Sequence, residues 1–340
     1  MLFQKKILAL VLIICLPAIS PFSAFAQSKR DEDESNRAGT PVLWKAPVDL
    51  PARDLFLGPG GKRMRPDLSH VTFENDETGG YSVKWNVKDG SGRKWVAKLG
   101  KESQAETAAV RLLWAVGYMT EVNYLVPCLH VEGAPKPRKK VERCEGDGFA
   151  NVRLKSRPKD FKKAGNWSWK DNPFVGTKEF EGLVIMMALL NNWDLKEENN
   201  KIFYVPAGDH GEGELRYMVT DLGASFGQVK VNAPILWRIF RNRNDPRDYS
   251  RDSLIDSVKR GRVFFSYTGK QEELFDDIKV EDARWIASLL RKLSDRQIGD
   301  AFRAANYTPE EVSLLTDTVR SRITELAEIQ SEGPLAKGDK

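Results

Sequence analysis

The sequence contains 340 residues, with 53 Lys and Arg against 48 Asp and Glu and a formal net charge of +5. This length allows one large domain or two of ordinary size. Hydrophobic residues at 41% and charged residues at 30% exclude a collagen, a small disulfide-rich protein, a coiled coil and a wholly disordered chain. With one long apolar run, the chain is also not a multi-span membrane protein.

The apolar run lies at the N-terminus, from Ile7 to Ile19, between two lysines and Ala24-Phe25-Ala26. These features predict a signal peptide at 1–26, cleaved after Ala26, and a secreted or periplasmic protein. An uncleaved anchor is the alternative, but the run is shorter than the ~20 apolar residues of a membrane span. After cleavage we expect no stable membrane span. Losing two lysines and no acid lowers the net charge from +5 to +3, which does not point to nucleic acid as a partner.

The rest of the chain divides into segments that differ in their pattern of polar and apolar residues. Residues 27–66 open as a polar stretch without apolar period and predict a flexible leader. An N-lobe is predicted at 67–131, a C-lobe at 132–330 with a basic inserted loop at 132–173, and a disordered tail at 331–340. The N-lobe elements are three strands separated by turn signals and one helix, at Leu68–Phe73, Tyr81–Val87, Arg93–Leu99 and Gln104–Tyr118.

In the C-lobe an apolar helix is followed by a hairpin and then by helices. The predicted ranges are Lys178–Leu190, the strands Ile202–Val205 and Leu215–Val219, and the helices Ile235–Arg241, Leu254–Lys259, Val280–Lys292, Ser294–Ala305 and Pro309–Ile329. This order predicts an α+β fold with a small antiparallel β-rich lobe and a larger helical lobe. We expect a ligand to bind in the cleft between the lobes.

Polar residues recur at positions that suit phosphoryl transfer, which needs cations, Mg²⁺ and a carboxylate beside the attacking hydroxyl. Asn199 and Asp221 flank the predicted hairpin, so its ends should bring them together as the oxygen ligands that Mg²⁺ prefers. Asp194 lies outside this pair and is placed to take the hydroxyl proton. The six candidates are Lys98, Glu106, Asp194, Lys196, Asn199 and Asp221.

Three of these segments resemble motifs of the protein-kinase-like superfamily. Val96-Ala97-Lys98 is similar to the lysine motif of the third strand, one apolar residue short. Asp194-Leu-Lys-Glu-Glu-Asn199 resembles the catalytic loop, and Asp221-Leu-Gly resembles the Asp-Phe-Gly metal motif. The resemblance spans about residues 67 to 230, and its motifs occur in the family's order.

The resemblance implies a two-lobed kinase-like fold that uses ATP and Mg²⁺. Lys98 would hold the α- and β-phosphates and pair with Glu106. Asp194 would act as catalytic base and Lys196 would contact the γ-phosphate, while the metal ligands would be Asn199 and Asp221. The acceptor, whether protein, lipid or small molecule, is not indicated.

The sequence also departs from the superfamily. Asn192-Trp193 replaces the usual His-Arg before the catalytic Asp. No glycine-rich loop is present, and its nearest substitute is Thr78-Gly79-Gly80, whose backbone N–H groups would bind phosphate. These departures resemble divergent branches, namely the HipA-like, lipid-kinase-like or Golgi-type secreted kinases. They keep open a pseudokinase or binding module, and nucleotidyl transfer on the same fold.

Three further questions stay open from the sequence. Taken singly, each candidate charge has a structural alternative as an exposed or turn-capping residue. Cys128 and Cys144 are the cysteines that remain after cleavage, and export permits a disulfide between them without requiring one. Trp167 and Trp169 are either packing residues or a substrate platform.

Overall fold

The computed structural model describes residues 38–80, 82–156, 158, 160–207, 212–229 and 241–329. The predicted signal peptide, the first part of the leader up to residue 37 and the tail 331–340 lie outside these ranges. So does the predicted helix Ile235–Arg241, except for its last residue. In the described part, no helix is long and apolar enough to cross a membrane.

The described chain contains strands and helices in the order that an α+β fold requires. The strands are β1 (Thr40–Val42), β2 (Thr72–Glu77), β3 (Val83–Lys88), β4 (Lys94–Leu99), β5 (Asn123–Leu129), β6 (Phe149–Ser156), β7 (Lys162–Asn166), β8 (Asn200–Val205), β9 (Glu214–Val219), β10 (Ile255–Lys259) and β11 (Arg262–Phe265). The helices are α1 (Glu102–Ala115), α2 (Lys178–Leu189), α3 (Pro246–Tyr249), α4 (Val280–Leu290), α5 (Asp295–Arg303) and α6 (Pro309–Ala327). The predicted class, a β-rich lobe followed by a helical lobe, is confirmed.

The N-terminal lobe is a five-stranded antiparallel sheet in the order β2-β3-β4-β6-β5. Successive side chains along each strand point to opposite faces of the sheet, and the two faces differ in character. One face is apolar and includes Trp85 and Ala97. The other face carries cations, because Lys98 pairs in register with Lys84 on β3 and with Arg153 on β6. The alternation therefore aims basic groups toward the cleft.

The N-lobe is larger than the sequence predicted. Strand β6 lies within 132–173, the range predicted as a loop inserted in the C-lobe, and it pairs between β4 and β5. The N-lobe sheet therefore extends to Ser156. The segment missed by the prediction is joined to the sheet by a Cys128–Cys144 disulfide, which settles the pairing that the sequence left open.

The predicted flexible leader is wrong for residues 38–66. Strand β1 pairs in parallel with β9, and Leu43, Leu50 and Leu55 are buried in the main core. These leucines lie in irregular chain around one short 3-10 helix, Leu50–Ala52, and not in one regular helix or strand. The sequence of such a segment shows no periodic apolar pattern. Burial of each leucine nevertheless stabilises the fold, because it removes apolar surface from water.

The C-terminal lobe packs around α2, which is buried along its length from Leu183 to Leu189. Capping boxes begin α5 at Ser294 and α6 at Thr308. Trp167 and Trp169 are 4% and 0% exposed and lie in this core. They are packing residues, not a substrate platform.

The predicted helix Leu254–Lys259 is wrong, because this range forms strand β10 of a two-stranded hairpin with β11. Arg260 and Gly261 connect the strands with φ of +52° and +74°. Two successive residues with positive φ are typical of a tight hairpin turn. Local turn geometry therefore outweighs the weak helical period of this short segment.

Candidate active site

Lys98 is the centre of an ionic cluster between the lobes. Its side chain is 1% exposed, and its ammonium contacts three carboxylates. The Nζ atom lies 3.0 Å from Glu106 Oε2 and 2.6 Å from Asp221 Oδ1. A third contact, at 2.8 Å, is with Glu102. A buried ammonium must be paired, and here the pairing joins β4, α1 and the segment after β9.

Glu106 is the buried anion of the cluster. It is 2% exposed and pairs with Arg153 on β6 as well as with Lys98. Burial acts to raise the pKa of the Glu106 carboxyl, but the charges of Arg153 and Lys98 outweigh burial and lower the pKa below its ordinary value. Glu106 is therefore ionised at neutral pH and holds Lys98 toward the cleft, as the sequence predicted.

Asp221 follows β9 and has left-handed backbone angles, with φ 57°. Its side chain is 42% exposed and lines the cavity between the lobes. Burial acts to raise the pKa of the carboxyl, but the neighbouring cations Lys98, Lys84 and Arg153 hold the pKa well below its ordinary value. Asp221 thus presents a permanent anion to the cavity at neutral pH.

One hydrogen-bonded residue brings the two predicted metal ligands together. Thr220, just before Asp221, donates to the Asn199 carbonyl oxygen from its N–H at 2.9 Å and from its Oγ1 at 2.7 Å. The β8–β9 hairpin fixes this contact, because Asn200 pairs in register with Val219. Asn199 and Asp221 consequently line the same cavity.

Asp194 lies on the same cavity wall, between two lysines. Its Oδ2 atom is 2.8 Å from Lys196 Nζ, and its Oδ1 atom is 3.3 Å from Lys270 Nζ. Lys270 Nζ and Asp194 Oδ1 are close enough for an ion pair, but their angles do not allow a hydrogen bond. Oδ1 is buried and accepts no hydrogen bond in the described part of the chain.

The cavity has a volume of about 1180 Å³ and is rich in cations. Its charged lining comes from both lobes and from the segment before β6. The basic residues are Lys84, Lys101, Lys139, Lys140, Lys196, Arg241, Arg243 and Lys270, and the acidic ones are Glu102, Asp194, Glu198 and Asp221. Eight cations against four anions favour a ligand with several negative charges.

The donor set suits Mg²⁺ that arrives with a phosphate ligand. In the described residues, no cluster of three or more His, Cys, Asp or Glu side chains is placed to hold a metal ion. Asn199 and Asp221 offer an amide oxygen and a carboxylate. Mg²⁺ commonly binds one or two protein oxygens and completes its coordination with water and substrate phosphates. The two predicted ligands therefore fit the metal.

The predicted phosphate loop is only partly at the site. Gly80 lines the cavity, whereas Thr78 and Gly79 do not. The carbonyl oxygens of Thr78 and Gly80 accept hydrogen bonds from Arg138 at 2.7 and 3.1 Å. The turn is thus held by a neighbouring segment.

Sequence reasoning missed several charged residues of the site. Glu102 contacts Lys98 and also pairs with Arg243, while Ser82 Oγ donates to Glu102 at 2.5 Å. Arg243 is distant in sequence and no motif marks it. Glu102 follows Lys98 by four residues, but the strand ends between them, so no helical spacing could link the pair.

Comparisons with known proteins return kinases by structure and nothing by sequence. No protein-family model matches the chain, and no curated protein matches it. The Helicobacter pylori proinflammatory kinase CtkA is similar at 9% identity and a TM-score of 0.45, covering 77% of this chain and 95% of its own. The Golgi casein kinase with Mn and ADP bound is similar at 10% identity and a TM-score of 0.37, with 78% and 73% covered.

A further structure of the Golgi casein kinase is similar at 11% identity and a TM-score of 0.34, with 94% of each chain covered. The resemblance to the kinase-like superfamily seen in the sequence is thus accompanied by a structural similarity to kinases.

Proposed function

We propose that this protein is a phosphotransferase that uses ATP and Mg²⁺, with an acceptor hydroxyl of unknown identity. The observation that carries the proposal is the ionic cluster of Lys98, Glu106 and Asp221, whose member Asp221 lines the same cavity as Asp194 and Asn199. A pseudokinase would need neither Asp194, Asn199 and Asp221 on one cavity wall nor the buried Lys98–Glu106 pair behind Asp221. Their convergence supports an active enzyme.

The side chains have distinct parts in this reaction. Lys98, held by Glu106, orients the α- and β-phosphates of ATP, and Lys196 contacts the γ-phosphate. Asn199 and Asp221 hold Mg²⁺, which neutralises charge on the phosphate oxygens. The acceptor oxygen forms a bond to the γ-phosphorus while the bond from that phosphorus to the β–γ bridging oxygen breaks, and ADP leaves. Asp194 accepts the hydroxyl proton.

Nucleotide binding tests this proposal directly. With Mg-ATP at a hundredfold excess over Kd, the folded state gains about 2.7 kcal/mol, so wild type should melt at a higher temperature than without ligand. Asp221→Ala should lose most of this shift, because it removes the carboxylate that binds the metal. Differential scanning fluorimetry with ATP, GTP and their Mg²⁺ complexes measures both effects.

The matched control is Asp256→Ala, which removes an exposed carboxylate on β10 that does not line the cavity. It should keep the full shift. A wild-type protein that no nucleotide stabilises would contradict the proposal and favour the pseudokinase.

We also propose that the protein is exported, with the signal peptide 1–26 removed after Ala26. The proposal rests on the short apolar run and the Ala24-Phe25-Ala26 end. N-terminal sequencing of the exported protein should begin at Gln27. A retained Met1 would show an uncleaved anchor instead.

A further inference from the structure

The connection between β5 and β6 is fastened at two points. The Cys128–Cys144 disulfide ties the end of β5 to the residues before β6. Between these cysteines, Arg138 donates hydrogen bonds to the carbonyl oxygens of Thr78, Gly80 and Ser82 at 2.7, 3.1 and 2.5 Å. A single guanidinium with a planar array of donors can satisfy all three acceptors. The connection is therefore attached to the β2–β3 turn that borders the cleft.

This attachment places the next residues over the cavity. Lys139, Lys140 and Val141 line it together with Gly80 and Asp221. Lys136, two residues before Arg138, lines a separate pocket on the other side of the connection. Lys139 and Lys140 therefore face the cavity, whereas Lys136 faces the separate pocket.

A second cation lies beneath the same turn. Lys84 projects from β3 into the cavity, and a Cβ atom on Gly80 would be 3.4 Å from its Nζ. In the described part of the chain, the Lys84 ammonium makes no ion pair or hydrogen bond, although the charges of Asp221 and Glu77 act on it. Burial lowers the pKa of the Lys84 ammonium, and the neighbouring Lys98 lowers it further.

A half-buried ammonium without a close counterion is costly to keep. Lys84 also faces Lys98 directly across the β3–β4 register, so the two like charges repel. A polyanion in the cavity would remove both costs. Glycine-rich loops bind phosphates with backbone N–H groups, but the sequence of this turn contains no such loop.

We propose that Lys84 and Lys140 form a clamp for the polyphosphate chain of the nucleotide, and that Arg138 is the positioning residue that holds the clamp over the cleft. The clamp rests on the proposed function and takes the place of the glycine-rich loop. Its ligand is the β- and γ-phosphate part of a nucleoside triphosphate, next to the phosphates held by Lys98.

The test uses the mature protein and three probes, which are inorganic tripolyphosphate, Mg-ATP and AMP. Lys84→Met and Lys140→Ala should each weaken tripolyphosphate and Mg-ATP binding by about tenfold, since each removes a charge-assisted contact. AMP binding should change little. Lys136→Ala is the matched control and should bind all three probes like wild type. Isothermal titration calorimetry gives the affinities.

Two further variants separate binding from folding. Lys84→Met removes an ammonium without a close counterion, so its melting temperature without ligand should not fall. Arg138→Lys keeps the charge but loses the planar donor array, so it should weaken tripolyphosphate and Mg-ATP binding while AMP binding is retained. A purely structural Arg138 would affect the three probes alike, which would overturn its positioning role.

The outcomes distinguish the clamp from the proposed function. If wild type binds Mg-ATP and both lysine variants bind it equally well, the clamp is wrong and the phosphotransferase stands. If wild type binds tripolyphosphate through Lys84 and Lys140 but binds no nucleotide, the polyphosphate site stands while the nucleotide as its ligand and the phosphotransferase are wrong. Binding of neither probe overturns both.

Discussion

Asp194→Asn should abolish phosphate transfer while the protein still folds and binds Mg-ATP. General-base assistance contributes about 10²–10⁴-fold to rate, and an amide in place of the carboxylate cannot accept the hydroxyl proton. The substitution keeps the size of the side chain. It also removes the partner of Lys196 and Lys270, but these lysines are 42% and 34% exposed, so water can solvate them and stability should change little.

The assay follows label from γ-labelled ATP to the protein itself and to a mixed envelope extract, because the acceptor is unknown. Glu198→Gln is the matched control, since it neutralises another carboxylate that lines the cavity, and it should retain transfer. If Asp194→Asn transfers phosphate at the wild-type rate, Asp194 is not the base. Transfer of AMP from α-labelled ATP would indicate nucleotidyl transfer instead.

The parts of the site that a motif encodes could be predicted from the sequence. Lys98, Asp194, Asn199 and Asp221 each lie within a few residues of a strand or helix end that a local pattern marks. Their convergence follows from topology, because a hairpin brings its two ends together. The Lys98–Glu106 pair could be predicted because a helix that carries Glu106 directly follows the strand that carries Lys98.

Residues brought in by long-range pairing could not be predicted. Arg153 reaches Glu106 because β6 inserts between β4 and β5. In β6, Ala150, Val152 and Leu154 alternate with polar residues, but this local pattern does not tell that the strand inserts between β4 and β5. Arg138 likewise gains its role from a contact across the cleft edge, and the disulfide that helps to place it required three-dimensional distances.

Trp193 shows how a departure from a motif is compensated by distant residues. It stands where the kinase motif that the sequence resembles has an arginine, and its indole N–H donates to the Asn242 carbonyl oxygen at 2.7 Å. The guanidinium groups of Arg241 and Arg243 lie 4.4 and 4.8 Å from its ring centre, within the range of a cation–π contact. Arg241 and Arg243 therefore supply positive charge next to Trp193 from another segment of the chain.

The ionic cluster should also be the largest single contribution of charged groups to stability. Lys98→Met leaves Glu102, Glu106 and Asp221 without their shared cation. Removing one partner of a buried ion pair costs about 3–5 kcal/mol, so the free energy of unfolding should fall by about this amount at pH 7. Urea denaturation followed by circular dichroism measures it. Lys45→Met is the control, because the Lys45–Glu214 pair is exposed and should contribute less than about 1 kcal/mol.

The double variant Lys98→Met with Glu106→Gln tests whether the loss comes from the unpaired charges. It should cost less than the sum of the two single variants, because contacting charges are coupled. The dependence of the free energy of unfolding on pH in the acid range gives an independent check. The pKa values of Glu106 and Asp221 are lowered in the folded state, so their stabilisation is complete above the unfolded pKa, about 4, and is lost as pH falls toward the folded values. Lys98→Met should flatten this acid dependence. Equal stability of Lys98→Met and wild type at pH 7, with an unchanged acid dependence, would show that Lys98 does not hold the lobes together.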